Sequence, residues 1–219
     1  MKTRAVIFDL DGTLIFLHFR YTESRKVIIE TINKMGLDGS KISLGDTAQI
    51  VIEKIDKEIK VRSMNLQISE IKKKIWSIIN NFEIESIEIS ELAKDTKSLL
   101  NFLSKEDIKL GIVTNNGSKG TRLTLRKHGI EDYFDVIITR DDVDKLKPYG
   151  EGLKLALKML EVRSNDAVYI GDSFNDVLAS KDTGVHSILI NKSHSMDKNL
   201  EKSPDRIINS LSEVIDLIK

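Results

Sequence analysis

Cysteine is absent from this chain of 219 residues. Disulfides, thiolate nucleophiles and cysteine-held zinc are therefore excluded at once. Neither sign of charge is in excess: 34 lysines and arginines face 34 aspartates and glutamates, for a net charge of zero. Such a balance supplies no general attraction to nucleic acid or to an anionic membrane, although it leaves room for a local basic pocket. Long apolar runs are missing too, and no stretch reaches the roughly 18 to 20 uncharged apolar residues of a membrane span. The opening MKTRAVIFDLDGTL breaks its short apolar run at Asp9 and Asp11, unlike a signal peptide. Neither an internal repeat nor a low-complexity tract occurs. The expectation is a soluble cytoplasmic protein of one or two compact domains, with 40% hydrophobic residues to build a core.

What is present is a rhythm. Short apolar runs read as buried strands at Ala5–Phe8, Leu110–Val113, Val136–Ile138, Ala167–Ile170 and Ser187–Ile190, with an edge strand over Arg206–Ile208. The runs are continuous rather than alternating, as expected of strands covered on both faces. Helical spacing lies between them: Leu92, Leu99, Leu100 and Leu103 in a helix over Leu92–Leu103, and Leu153, Leu157 and Leu160 in another. Ser210 and Glu213 form a capping-box pattern ahead of a last helix, Leu211–Ile218. Strand, helix, strand in this order predicts an α/β fold with a doubly wound parallel sheet.

One segment departs from the rhythm. From about Ile15 to Ser90 the pattern is helical, with three apolar stripes: Ile28, Ile32 and Met35; Ala48, Val51, Ile55 and Ile59; and Ile71, Ile75, Ile78 and Ile79. This predicts an inserted α-helical cap domain, residues 16–89, within a core of residues 1–15 and 90–219. The cap is expected to hinge near Phe16–Arg20 and Ile84–Ser90 and to close over the sheet edge.

Open parallel sheets bind ligands at the carboxyl ends of their strands, near the point where strand order reverses. After the first strand comes Asp9-Leu10-Asp11-Gly12-Thr13, and after the second Thr114-Asn115-Asn116-Gly117. The third leads to Lys147-Pro148, and the fourth to Gly171-Asp172-Ser173-Phe174-Asn175-Asp176. Four separate segments thus bring polar and charged groups to one edge.

This ordered set resembles the haloacid dehalogenase-like hydrolase superfamily from Arg4 to about Ile190. The likeness is to helical-cap phosphatases of the phosphoglycolate phosphatase-like and beta-phosphoglucomutase-like subgroup. The resemblance implies a Rossmann-like core and a metal-dependent phosphatase acting through an aspartyl-phosphate on Asp9. Asp11 is then the general acid, and afterwards the base for the hydrolytic water. Thr114 and the backbone of Asn115 hold phosphate oxygens, and Lys147 neutralises charge. Asp9 and Asp172 bind Mg²⁺ through side chains and Asp11 through its backbone carbonyl, while Asp176 orders the metal's water or Lys147 from behind. Charge alone asks for such a cation: three aspartates and a phosphate ester within about 4 Å would repel by several kcal/mol per pair. Hard oxygen ligands of this kind suit Mg²⁺. The expected partner is a small phosphorylated metabolite, with no nucleic acid and no membrane, in a monomer or homodimer.

Taken singly, each piece has a plainer reading. DLDG could be a capped turn after a strand, Asp172 and Asp176 helix-start acids, Thr114 an ordinary strand end and Lys147 a solvated side chain, with Lys145 competing for its role. Asp141, Asp142 and Asp144 read as a solvated turn, and Trp76 as cap core. His18 and Arg20 fit either a hinge or a substrate contact. DGTL is followed by Ile15-Phe16-Leu17-His18 where relatives often carry Val-Asp-Ser, and Lys147-Pro148-Tyr149-Gly150 replaces a Gly-Lys-Pro-x-Pro loop. These departures bear on the substrate, not on the catalytic groups. A phosphomutase on the same scaffold, or a non-catalytic binding protein that keeps the fold, remain the alternatives.

Overall fold

A computed structural model describes residues 3–62, 67–190 and 203–218. The chain divides into two compact units, Met1–Leu17 with Ile89–Lys219, and His18–Glu88. The first unit is built on a sheet of six strands. In chain order the strands are β1 (Ala5–Phe8), β2 (Ile15–Phe16), β3 (Glu91–Leu92), β4 (Lys109–Val113), β5 (Val136–Ile138), β6 (Ala167–Gly171), β7 (His186–Ile190) and β8 (Arg206–Ile208). The sheet runs β5-β4-β1-β6-β7-β8, and every pairing in it is parallel. That is the 3-2-1-4-5-6 order of a doubly wound nucleotide-binding sheet, whose crevice opens beside the central strand. The two short strands β2 and β3 pair antiparallel on their own, Ile15 opposite Leu92 and Phe16 opposite Glu91.

The helical unit contains α1 (Tyr21–Lys34), α2 (Ala48–Val61) and α3 (Ile68–Ile87). Its core is almost entirely isoleucine: Ile28 and Ile32 from α1, Ile52, Ile55 and Ile59 from α2, Ile71, Ile75 and Ile79 from α3. Isoleucine is a mediocre helix former, because its branched Cβ loses rotamers against the preceding turn. Burial of one such side chain returns about 1.5–3 kcal/mol, which outweighs that deficit. Trp76, Met35, Ala48 and Ile78 lie partly buried against this cluster. Thr47 caps α2, its side chain accepting from the Ile50 amide at 3.3 Å.

The remaining helices are α4 (Thr96–Leu103), α5 (Ser118–His128), α6 (Glu151–Leu160), α7 (Phe174–Thr183) and α8 (Glu213–Ile218). They cover both faces of the sheet. Val6 and Phe8 of β1 join a cluster with Leu99, Leu100 and Leu103 of α4, Leu125 of α5 and Val214 of α8. Ala5 and Ile7, pointing the other way, join Leu153, Ala156, Leu157 and Leu160 of α6 and Ala179 of α7. All four β1 side chains are fully buried, which explains the unbroken apolar run. Two boundaries differ from the sequence pattern. Leu92 lies in a strand and α4 begins only at Thr96, because Asp95 at φ 66° starts the helix anew. α8 begins at Glu213 rather than Leu211, where Glu213 reaches back to the Ser210 amide at 3.1 Å. Among the described residues no helix is long and apolar enough to cross a membrane.

Asp205 ties the edge strand to the sheet. Its Oδ2 accepts from the Ser187 amide at 2.8 Å and hydroxyl at 2.7 Å, and its Oδ1 from Lys181 at 3.0 Å. Partial burial opposes the charge, but the Ser187 donors and Lys181 outweigh it and bring the carboxyl down to about 2. A folded-state value below the unfolded one, about 3.9, stabilises the protein above that pH. Asp205→Ala is expected to cost about 1–3 kcal/mol at neutral pH. The gap in melting temperature to wild type should shrink as pH falls from about 4 towards about 2. An unchanged melting temperature at pH 7 would remove this role.

Candidate active site

The chemistry-bearing side chains stand where β1, β4 and β6 end. Asp9 directly follows β1, and its amide donates to the Ile170 carbonyl of β6 at 2.8 Å. The chain then turns tightly, with the amides of Thr13, Leu14 and Ile15 all returning to the Leu10 carbonyl. Gly12 takes φ +84°, and a Cβ there would lie 2.0 Å from Asp172 Oδ2. Gly171 plays the same part at the end of β6, where a Cβ would meet Asp176 Cγ at 2.4 Å. The two glycines thus make room for two carboxylates, a demand only a missing side chain meets. Asp11 stands on the turn, its Oδ1 accepting from the Leu17 amide at 2.9 Å.

Lys147 is the centre. It is buried, and its Nζ lies 2.6 Å from Asp9 Oδ1, 2.6 Å from Asp176 Oδ1 and 2.9 Å from the Tyr169 hydroxyl. Asp176 is held in turn by Ser173, whose amide (3.0 Å) and hydroxyl (2.5 Å) both donate to its Oδ2. This is the capping box of α7, so one aspartate both starts a helix and pairs with the lysine. The Lys147 backbone is gripped by the Asn115 side chain: Oδ1 accepts from the Lys147 amide at 3.0 Å, and Nδ2 donates to its carbonyl at 3.2 Å. Buried Arg140 steadies Asn115, donating to its carbonyl at 2.9 Å. Thr114 is buried, its amide bonded to the Ile138 carbonyl and its Oγ1 accepting from the Asn116 amide at 3.2 Å.

Burial sets the electrostatics. It pushes the Asp9 carboxyl up, Lys147 pulls it down, and Asp176 and Asp172 push it up again, so it lies above the ordinary carboxylate value. Burial works against the Lys147 ammonium, but Asp176 and Asp9 outweigh it and hold it charged. Asp176 follows the same logic in reverse: burial opposes its charge, and Lys147 and Ser173 carry it below its ordinary value. Carboxylate oxygens of Asp9, Asp172 and Asp176 all come within 4.8 Å of one another. Three carboxylates against one ammonium leave negative charge in excess, and an all-oxygen donor set fits a hard divalent cation. Asp176 already serves Lys147, Tyr169 and Ser173, so Asp9 and Asp172 are the members better able to hold one.

Of the residues singled out in the sequence, Asp9, Lys147 and Asp176 meet in direct hydrogen bonds. Asp172 joins them through the carboxylate cluster. Lys145 lies outside it, its Nζ 5.4 Å from the Tyr149 ring. Asp141 and Asp142 are not merely solvated: Asp142 completes a capping box with Thr139, and Asp141 accepts from the Ser118 amide at 2.8 Å. Two residues, Tyr169 and Arg140, escaped the sequence reading, as did the side-chain role of Asn115, singled out there for its backbone. Tyr169 offers the only polar side-chain atom in the apolar run AVYI, and a buried hydroxyl needs a partner. The amide grip of Asn115 and the support from Arg140 join segments 25 or more residues apart, so no local pattern betrays them.

Removing the shared cation should be costly. Lys147→Ala leaves two aspartates buried without their counter-charge, and the expected loss is about 3–5 kcal/mol, measured by urea unfolding. A loss below about 1 kcal/mol, the scale of an exposed ion pair, would contradict this geometry.

The haloacid dehalogenase-like hydrolase family model matches residues 6–190. A pyrophosphatase, PpaX, of Bacillus cereus strain Q1 is 25% identical over 224 residues, covering 100% of this chain and 97% of the relative. Among solved structures, a HAD phosphatase from Thermococcus onnurineus is 27% identical with TM-score 0.63, covering 100% of this chain and 98% of that one. A predicted phosphoglycolate phosphatase from Haemophilus somnus 129PT shares the fold at TM-score 0.71 and 20% identity, covering 100% and 99%. With the strand order, the carboxylate cluster and a match over most of its length, the chain belongs to the haloacid dehalogenase-like hydrolase family, whose phosphatase-named members it matches end to end.

Proposed function

We propose that this protein is a Mg²⁺-dependent phosphatase that hydrolyses a small phosphorylated metabolite through an aspartyl-phosphate on Asp9. One observation carries the reading: a buried aspartate at the end of the central strand has one oxygen fixed by a lysine, beside a second strand-end aspartate. Lys147 holds Oδ1, so Asp9 is presented in one orientation, and orientation is a large part of what a nucleophile needs. A carboxylate oxygen of Asp9 attacks phosphorus, and the alcohol leaves with a proton from Asp11, whose Oδ1 is steadied by the Leu17 amide. The same carboxyl then takes a proton from the water that releases phosphate from Asp9. Thr114 and the Asn115 backbone, at the end of β4, receive the phosphoryl oxygens. Asp9, Asp172 and the Asp11 carbonyl would hold Mg²⁺, which when bound shields the anionic ester from the aspartates.

The test is phosphate release from a panel of sugar phosphates, phosphoglycolate, aryl phosphates and, because relatives bear that name, pyrophosphate. Release is expected with Mg²⁺, to vanish with chelator, and to fall more than about 10³-fold in Asp9→Asn. Equal turnover by Asp9→Asn would end the nucleophile assignment. Isomerisation of a sugar phosphate without free phosphate would point to a mutase, and inertness on the whole panel to a binding protein.

The unit His18–Glu88 we assign as a cap that sets substrate range, and the other unit as the catalytic core. Its three helices have an apolar core of their own. Replacing residues 18–88 by a short flexible linker is expected to keep the sheet's circular dichroism and cooperative melting while changing the substrate profile. Loss of cooperative melting would refute that division.

A further inference from the structure

An ammonium group has three hydrogens, and Lys147 has three acceptors within bonding distance: Asp9 Oδ1 and Asp176 Oδ1 at 2.6 Å and the Tyr169 hydroxyl at 2.9 Å. Two of them attract it by charge. The third is neutral and is placed by the fold. Tyr169 is 1% exposed in the middle of β6, flanked by Val168 and Ile170. Its own proton has two acceptors, the Val113 carbonyl at 2.9 Å and Asp176 Oδ1 at 3.0 Å. With that proton so placed, a lone pair of the hydroxyl is left for Lys147. Phenylalanine would fill the same volume, so the oxygen is not explained by packing. It reaches three separate segments at once: β4 through Val113, α7 through Asp176 and the lysine loop through Nζ.

Building on the phosphatase reading, we propose that Tyr169 is a positioning residue: by taking the third ammonium hydrogen of Lys147 it stops that group rotating and keeps one hydrogen on the nucleophile Asp9 and one on Asp176. Without the hydroxyl, the ammonium has a buried hydrogen with no acceptor, and it tilts towards one carboxylate at the expense of the other. Asp9 then loses its fixed orientation although every charge in the site is intact. Tyr169 acts through Lys147 and Asp9 and does not touch the ester, so its effect should fall on turnover rather than on substrate binding.

The test compares wild type with Tyr169→Phe in two ways. In protein labelled with [¹⁵N]lysine, a fully hydrogen-bonded ammonium exchanges slowly and gives a ¹H–¹⁵N signal at neutral pH, assigned by its loss in Lys147→Arg. The signal is expected in wild type and should broaden or vanish in Tyr169→Phe. On the best ester of the panel, kcat should fall about tenfold while KM stays within about twofold, the pattern of an interaction lost only in the transition state. A merely structural role would lower the melting temperature and leave kcat and the KM-to-kcat split untouched. An unchanged kcat, a rise in KM alone, or a wild-type spectrum without a protected ammonium would each overturn the proposal. If Tyr169→Phe does not fold, the wild-type spectrum decides. The ammonium signal does not need catalysis: its loss in Tyr169→Phe, in a protein inert on every ester, would uphold the positioning role and sink the phosphatase reading instead.

Discussion

Sharing one buried ammonium between Asp9 and Asp176 constrains everything around it. Two carboxylates and a lysine removed from water each carry a desolvation penalty of several kcal/mol, and only close geometry with full hydrogen bonding recovers it. The structure meets that condition on every side. Ser173 satisfies the far oxygen of Asp176, Tyr169 takes the remaining ammonium hydrogen, and Asn115 fixes the backbone from which Lys147 projects. Gly12 and Gly171 leave the space that the carboxylates fill. Loosening any one of these would expose a buried charge to a poorer partner.

The same interaction explains why the site sits at this edge of this sheet. β1 and β6 are neighbours, so the residues that follow them emerge side by side although the chain between them is long. A strand pairing in register carries Phe8 alongside Ile170; Asp9 follows the first directly and Asp172 follows the second after Gly171. The apolar strands below are buried on both faces and give the site a rigid floor. Water is thereby kept from one side of the cluster, which is why burial dominates the titration of Asp9.

Much of the fold was legible in the sequence, for a physical reason. Parallel strands covered on both faces must be continuously apolar, so five of the six strands of the main sheet announce themselves, while β8, exposed at Arg206 and Ile207, reads only as an edge. Helix starts were less legible. Leu92 fits the α4 stripe by spacing, but pairing with Ile15 across the β2–β3 ladder claims it for a strand. The stripes of the helical unit were visible because 3.6-residue periodicity survives even in isoleucine-rich helices. Asp142 looked like surface charge because its capping partner, Thr139, is recognised only once the backbone turns there.

The division between the two kinds of information is sharpest at Lys147 and Tyr169. The sequence by itself determined which residue types follow each strand: Asp9 and Asp11, Thr114, Lys147, and Asp172 with Asp176. Local chemistry suffices for that, since a strand end followed by acids and glycine reads the same wherever it lies. Which of these groups touch was decided only by the tertiary structure. Lys147 and Asp9 are 138 residues apart in the chain, and Asn115 grips Lys147 across 32. Tyr169 passes in the sequence for one more apolar strand residue, and its hydroxyl gains meaning only from what stands opposite. Hydrogen bonds and ion pairs depend on distances of a few tenths of an ångström, and such distances between remote segments are set by sheet order and packing, not by spacing along the chain.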